Sequence, residues 1–303
     1  MKTSNHLLRR LTAALLAAVL ALSIALPVFA SDDGDTIYIN SVSDLLSLAR
    51  NCAYDQWSVG KTVILQKDLS LEGMLWEPIP SFSGQFKGSG HTISDLTITG
   101  QYSPAGLFGI VEEQGSIESL SVRGVVSVSD SADTTTGGIV GINHGTLISC
   151  QFTGVVTGDS EVGGIVGRNE SEGTIDHSTA RAIVTGKSST GGIAGYNLGA
   201  ITGCTNVGSI NTEYPEASLD TDGFTAKMVD YINNKMAAAA DDATNSVTNV
   251  ATDTGGIAGR SSGMILTSVN TGTIGYEHVG YNVGGIVGRT DGLVSGCVNQ
   301  GRV

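Results

Sequence analysis

The chain has 303 residues, of which 42 are Gly and only 5 are Pro, and its formal net charge is −13. The Gly share is about twice the usual value, but the sequence has no Gly triplet repeat, which excludes collagen. The acidic charge argues against nucleic acid and anionic membranes as partners. Because only 5% of the residues are aromatic, we expect a core of small and β-branched side chains.

Residues 1–30 have the three parts of a secretory signal peptide. The apolar run Leu11–Phe29 ends in the small-residue cleavage site Val28–Ala30, and three basic residues precede it, namely Lys2, Arg9 and Arg10. Cleavage would leave Ser31 as the first residue, change the net charge from −13 to −16 and leave a polar linker over 31–35. The apolar run is also long enough to span a bilayer, so an uncleaved membrane anchor is the alternative.

The segment after the linker predicts a short strand followed by a helix. The strand lies within 36–40, and Ser41–Asp44 then supplies hydroxyl and carboxylate groups that can cap a helix. Apolar residues at helical spacing follow in Leu45–Ala49. We expect a helix over about 43–51 that covers the first coil of the next region, because an open sheet end invites pairing with other chains.

A Gly-rich pentad, with the sequence Gly-Gly-Ile-Val-Gly in its clearest copy, recurs through most of the chain. The copies occupy residues 105–109, 137–141, 163–167, 191–195, 255–259 and 284–288. Apart from one long interval, they recur about every 28 residues, which is typical of a repeat array. Each unit also contains a Gly-x-aliphatic-x-x-(Cys/Ser) segment and a β-branched run, giving three short strands. The pattern predicts an all-β fold, a right-handed parallel β-helix, over 36–303.

The pentad residues are expected to alternate in direction, as in any strand. The aliphatic third residue, such as Ile139, would then point into the core. The fourth residue, such as Val140, would face the opposite way. Its apolar character would require a covering partner or a covering helix.

One long interval interrupts the array, and its extra residues lie near 212–253. This insertion contains Phe224, Met228, Ile232 and Met236 at a spacing of four residues. That spacing predicts an amphipathic helix. We expect the helix to dock on the flank of the β-helix, and a binding or lid role is the alternative.

The pentads, each followed by Asn143, Asn169 or Asn197 and then by the Gly-x-Ile-x-x-Cys segment, resemble the GLUG repeat. The resemblance covers 36–303 apart from the insertion, and it includes the entry segment 61–93. It implies a secreted or surface protein of a bacterium, since GLUG repeats occur in large adhesins and in non-catalytic regions of immunoglobulin A peptidases. Peptidase activity is not implied, because the sequence lacks the zinc signature His-Glu-x-x-His.

Equivalent positions in a β-helix stack about 4.8 Å apart, so the repeats define columns of neighbours. One column contains Leu120, Cys150, Ser178, Cys204, Ser268 and Cys297. Cys150 and Cys204 would lie about 9.6 Å apart, too far for a disulfide, so we predict buried unpaired thiols. Two further columns contain Asn143, Asn169 and Asn197, and Asn206, Asn270 and Asn299. Stacked Asn side chains can hydrogen-bond along a column, so we interpret these as structural ladders rather than a ligand site.

The column directly after the pentad contains Ile142, Arg168, Tyr196, Arg260 and Arg289. Arg and Tyr side chains one coil apart can stack on each other. An exposed stripe of this kind could bind an anionic glycan or a carboxylate-bearing partner. Arg168, Tyr196, Arg260 and Arg289 are therefore the candidate ligand-binding residues. The alternative is a solvated, self-stacked column that offsets neighbouring acids.

Catalysis by a β-helix lyase or hydrolase requires paired carboxylates about 5–9.5 Å apart or a Ca²⁺ cluster. The column to test contains Glu118, Ile148, Asp176, Thr202, Leu266 and Ser295, with acids only on non-adjacent coils. The segment 220–223 resembles a calcium loop without its Glu, so it reads better as a helix cap. We therefore predict no catalytic residues, no metal site and no cofactor.

These patterns predict a non-catalytic secreted or cell-surface module that acts as a scaffold, an adhesive stalk or a binding surface. Host or cell-wall glycans and proteins are the candidate partners, with no nucleic acid and no membrane contact after signal cleavage. Because the sequence stops within a repeat, two alternatives remain open. It is a piece of a longer chain, or end-to-end contact with another chain covers its C-terminus. A glycan-active β-helix enzyme and the non-catalytic part of a larger surface peptidase are the alternatives.

Overall fold

The computed structural model describes residues 35–54, 56–128, 134–212, 219, 221–234, 251–275 and 281–303. Within it, Thr36–Val303 form one compact unit. The signal peptide over 1–30 and nearly all of the linker over 31–35 lie outside the described residues. Met236, expected on the inserted helix, also lies outside them. Those assignments stay predictions.

The described strands form four sheets, each of which stacks short strands from successive coils, a coil being one turn of the chain around the solenoid axis. Sheet 2 takes two strands from each of two coils. Sheet 1 contains Thr36–Ile39, Thr62–Leu65, Gln85–Lys87, Ser116–Glu118, Thr146–Ile148, Thr174–Asp176, Ala200–Thr202, Met264–Leu266 and Leu293–Ser295. Sheet 2 contains Leu69–Ser70, Thr92–Gly100, Ser121–Val128, Gln151–Thr157, Thr179–Thr185, Thr205–Asn206, Ser209–Ile210, Val269–Asn270, Thr273–Ile274 and Val298–Asn299. Sheet 3 contains Thr136–Gly137, Ser160–Gly163, Ser188–Gly191, Thr252–Gly255 and Tyr281–Gly284. Sheet 4 contains Ile79–Phe82, Phe108–Val111, Val140–Asn143, Val166–Asn169, Ala194–Asn197, Ala258–Ser261 and Val287–Thr290.

Neighbouring strands pair in parallel, so the chain is a parallel β-solenoid and the all-β prediction is confirmed. The register stacks like on like: in sheet 1, Leu147 pairs with Ile117 on one side and Ile175 on the other. All three are fully buried. Burying such a side chain contributes about 1.5–3 kcal/mol, so these aliphatic columns hold the coils together without large aromatic residues.

The unit of three strands expected from the sequence is wrong from residue 136 onward, where each coil contributes strands to four sheets. The pentad contains a bend at Gly138 and Ile139, so it contributes to two strands, Thr136–Gly137 in sheet 3 and Val140–Asn143 in sheet 4. The bend breaks the alternation of side chains, and both Ile139 and Val140 are fully buried. The expectation that the fourth pentad residue faces away from the core is therefore also wrong. Burial explains why that position stays apolar.

Helix α1, Val42–Asn51, is the N-terminal capping helix that the sequence predicts. Its N-cap is Ser41, whose hydroxyl accepts a hydrogen bond of 3.2 Å from the backbone N–H of Asp44. Leu45 and Leu48 are buried in the same core as the first coils. The helix therefore extends the hydrophobic core at the start of the solenoid.

The predicted helical insertion is present as helix α2, which occupies 226–234 within the described residues. Met228 and Ile232 pack in one apolar cluster with a column on sheet 2, formed by Val125, Val155 and Ile183. A helix of this length measures about 13.5 Å, close to three coil spacings of about 4.8 Å. One helix can thus brace several coils.

Polar contacts also attach the insertion to the solenoid. The hydroxyl of Thr225 caps α2 by accepting a hydrogen bond from the N–H of Met228, so the described residues 221–223 do not provide this cap, and Asp220 lies outside the described residues. A guanidinium N–H of Arg123 donates to the carbonyl of Asp222. The Nζ of Lys227 lies 3.4 Å from a carboxylate oxygen of Glu72.

Candidate functional site

Sheets 3 and 4 pack directly against each other because the pentads supply glycine on both sides of the contact. A Cβ on Gly195 of sheet 4 would overlap the backbone of Glu161 and Val162 in sheet 3. A Cβ on Gly163 would overlap the carbonyl of Val166. Only glycine permits backbones to approach this closely. Side chains seven residues apart, one on each sheet, are thereby brought side by side.

Arg168 begins the candidate column and is held by two carboxylates. Its Nη1 lies 2.8 Å from Oε1 of Glu161 on sheet 3, and its Nε lies 2.6 Å from Oε1 of Glu170. The second oxygen of Glu161 accepts a hydrogen bond of 3.1 Å from Thr135. Partial burial lowers the pKa of Arg168, but the two glutamates outweigh it and the net pKa is raised. This end of the column is electrostatically satisfied.

Tyr196 occupies the next coil and is covered on both sides. The guanidinium carbons of Arg168 and Arg260 lie 5.1 Å and 5.0 Å from its ring centroid. Its hydroxyl lies 3.2 Å from the Oγ of Ser262. Strand pairing places Arg168, Tyr196 and Arg260 on consecutive coils. Cation–π stacking of this kind holds the side chains in a fixed order.

Arg260 and Arg289, paired in register, continue the column. Among the residues that the structure describes, neither guanidinium forms a salt bridge with a carboxylate. Asp291 is next to them, since its backbone N–H donates to the carbonyl of Ser261, the residue after Arg260. A hydrogen bond from Ser262 chiefly lowers the pKa of its exposed carboxyl, and the charges of Arg260 and Arg289 lower it further. The column thus has a neutralised half and an open half.

The acids and amides beside the column were missed from the sequence. They were detectable, because the offset of seven residues that joins Glu161 to Arg168 recurs between Asp253 and Arg260 and between Asn282 and Arg289. Asp253, however, does not pair with Arg260 as Glu161 pairs with Arg168. Oδ1 of Asp253 accepts a hydrogen bond of 2.6 Å from the side chain of Asn282.

The two asparagine columns form hydrogen-bonded chains. Nδ2 of Asn143 donates to Oδ1 of Asn169 at 2.8 Å, and Asn169 donates in the same way to Asn197 at 2.8 Å. In the second column, Asn206 donates to Asn270 and Asn270 to Asn299, both at 2.7 Å. The side chains of Asn143, Asn169, Asn197, Asn206 and Asn270 are fully buried, whereas Asn299 is exposed.

The cysteine column has the register that the sequence predicts. The backbone N–H of Cys150 donates to Ser178, and that of Cys204 donates to Ser268. Cys150 and Cys204 are buried free thiols, and burial raises the pKa of each to about 12. Cys297 is also free but only partly buried, so its expected full burial is wrong.

The acidic column on sheet 1 also has the expected register, with Ile148 between Glu118 and Asp176. A pocket of about 340 Å³ elsewhere contains two neighbouring acids, Glu112 and Glu113. Within the described ranges, no three His, Cys, Asp or Glu side chains cluster so that they could hold a metal ion. Nor does any helix of the described part have the length and apolar character needed to cross a bilayer.

Comparisons with known proteins find similarity over part of the chain. No protein-family model matches it. Over 155 residues it is 30% identical to Halomucin of Haloquadratum walsbyi. The aligned region covers 47% of this chain and 2% of that protein. Over 137 residues it is 28% identical to the "Putative Gly-rich membrane protein" of Evansella cellulosilytica. This aligned region covers 33% of this chain and 16% of that protein. The chain therefore spans only a small part of these relatives.

Among solved structures, the chain is similar to "a putative immunoglobulin A1 protease from Bacteroides ovatus". The two share 18% identity with a TM-score of 0.56, over 86% of this chain and 74% of the other. At this identity the likeness concerns the fold alone. The comparison therefore agrees with the sheet topology in making this chain a β-solenoid repeat protein.

Proposed function

We propose that this chain is a non-catalytic extracellular or cell-surface module of the GLUG-repeat type that acts as a scaffold or an adhesive stalk. The observation that carries the proposal is the continuous stack of parallel sheets, in which successive coils display the same columns of side chains. Such arrays lengthen by adding coils, because each repeat contacts only its neighbours. A long, regular surface suits spacing and attachment better than it suits a single reaction centre.

Two observations support a location outside the cell. Residues 1–30 have the composition of a secretory signal peptide. The names of the two relatives, a halomucin and a Gly-rich membrane protein, also support the cell surface as the location. The candidate partner is a glycan or a protein of the host or the cell wall, and the column from Arg168 to Arg289 is the surface that would meet it.

A second candidate is the non-catalytic part of a larger surface peptidase. The name of the structural neighbour, an immunoglobulin A1 protease, favours it. In that case the solenoid of this chain would still serve as a scaffold, and the catalytic residues would lie elsewhere.

The test is to express the whole chain, with its leader, in a bacterial host. We expect mature protein that begins at Ser31. It should either be released into the medium or be digested by protease that is added to intact cells. Retention in the cytoplasm would overturn the proposal. Purified protein is also incubated with polyuronate and neutral glycans, and no cleavage is expected. Cleavage that disappears in a Glu112→Gln variant would instead establish the glycan-active enzyme.

A further inference from the structure

The two halves of the arginine column differ in what a ligand would find there. At Arg168, the carboxylates of Glu161 and Glu170 already occupy the guanidinium. The position equivalent to Glu161 beside Arg260 is Asp253, but Asp253 is 8% exposed and bonded to Asn282. Arg260 therefore keeps donors that its own coil does not use. An incoming anion meets less competition at this half.

Aromatic surface is also present at the open half. Both faces of Tyr196 are covered by guanidinium groups, so its ring cannot support a ligand. Tyr281 differs, because its side chain is 73% exposed. It precedes Asn282 on sheet 3, and Asn282 occupies the position equivalent to Glu161, which contacts Arg168. Tyr281 therefore lies one residue from the sheet 3 position that faces the arginine column, on the same coil as Arg289.

We propose that Arg260 and Arg289 bind the carboxylate of an acidic sugar, that Tyr281 supports the sugar ring, and that Asp291 competes with the ligand for the two guanidinium groups. The inference rests on the proposed function as a surface module, and it names the ligand class of that surface.

The chemistry of the site favours a singly charged anion, such as a carboxylate, over a highly charged one. Guanidinium forms paired hydrogen bonds with a carboxylate, and Arg260 and Arg289 stand on paired strands about 4.8 Å apart, so one anion can reach both side chains. Tyr281 can contact the apolar face of a sugar while its hydroxyl remains in water. The net charge of −13 repels polyanions at long range. The best ligand is therefore a glycan in which one sugar is acidic and the others are uncharged.

Binding is measured by titration calorimetry on the secreted chain at low salt. The probes are lactose capped with N-acetylneuraminic acid, lactose alone, acetate, and a neutral peptide with a free C-terminal carboxylate. We expect the capped lactose to bind and the other three to bind at least about tenfold more weakly. Arg260→Ala and Arg289→Ala should each weaken it about tenfold or more. Arg181→Ala, on the exposed face of sheet 2, is the matched control and should have no effect.

Two further variants separate this proposal from simple charge attraction. Asp291→Asn should tighten binding about two- to fivefold, because it removes a nearby negative charge, and interactions between exposed charges are of about this size. Tyr281→Ala should weaken binding of the capped lactose but not of acetate. Equal binding of the peptide, equal loss in Arg168→Ala, or no binding of the capped lactose would overturn the proposal. Since location and scaffold role are measured separately, failure here leaves the proposed function standing.

Discussion

The carboxylate of Asp95 accepts a hydrogen bond of 2.9 Å from the hydroxyl of Thr225, which lies 130 residues further along the chain. Asp95 is only 2% exposed, and its other oxygen accepts hydrogen bonds from Ser70 at 2.7 Å and Ser94 at 3.0 Å. It has φ 59 at an irregularity of its strand. A strained, buried acid of this kind needs its partners, and one of them is the residue that caps α2.

Thr225→Val is predicted to loosen α2 without unfolding the solenoid. The change keeps the shape but removes both the donor to Asp95 and the cap, and a hydrogen bond to a charged group contributes about 1.5–3 kcal/mol. Amides of 226–234 should exchange with deuterium faster, while those of sheets 1 and 2 remain protected. Thr202→Val, on the outer face of sheet 1, is the control. Unchanged exchange in 226–234 would contradict this tether.

Docking of α2 is also predicted to weaken in acid. Burial raises the pKa of Asp95, but hydrogen bonds from Ser70, Thr225 and Ser94 outweigh it, so the pKa lies below the usual 3.8. A lowered pKa means that the stabilisation is present above the unfolded value and is lost as pH falls through the folded value. Proteolysis within α2 should therefore increase below about pH 4. The charged pairs Glu72–Lys227 and Asp68–His91 also lie in this part of the structure, so the comparison uses Asp95→Asn.

In Asp95→Asn, α2 should be loose already at neutral pH, and its proteolysis should depend much less on acid. If wild type and variant respond to pH alike, the exposed pairs rather than Asp95 cause the effect.

The glycine contact between sheets 3 and 4 predicts a large cost for Gly195→Ala. The added Cβ would overlap the backbone of Glu161 and Val162, and overpacking of this kind costs about 1–3 kcal/mol or more. Gly109→Ala is the matched control, because it is the same pentad position in the first copy. There the closest atom to a Cβ is the carbonyl oxygen of Pro80 at 3.1 Å. Urea midpoints of the two variants should differ clearly, with Gly195→Ala the lower.

Much of this architecture could be predicted from the sequence, because equal spacing means equal position in a solenoid. That rule gave the correct register for Cys150 beside Ser178 and for Arg168 beside Tyr196. It failed at the pentad, because glycines show no alternation of polar and apolar side chains. The strand Thr136–Gly137 is also too short to be recognised from such a pattern. Contacts between the insertion and the solenoid, such as that between Asp95 and Thr225, depend on how the chain folds back and not on any period.

Thiol reactivity is predicted to follow burial. Because the thiolate is the reactive form, the raised pKa of about 12 for Cys150 and Cys204 should prevent alkylation of the native protein. Burial raises the pKa of Cys52 to about 11, with the same consequence. Intact mass after treatment with iodoacetamide should show at most one label, at the partly buried Cys297, and four labels in urea. Rapid native labelling of Cys150 would mean that its coil opens.

Asn270→Leu is predicted to destabilise the solenoid through hydrogen bonds rather than through volume. Asn270 accepts from Asn206 at 2.7 Å and donates to Asn299 at 2.7 Å, and its loss leaves the buried amide of Asn206 without that acceptor. Leaving a buried polar group unsatisfied costs about 1–3 kcal/mol. In a urea double-mutant cycle, the combined Asn206→Leu and Asn270→Leu changes should cost less than the sum of the two single changes, since the pair shares one bond. Strict additivity would show that the side chains act independently and that the ladder contributes no coupling.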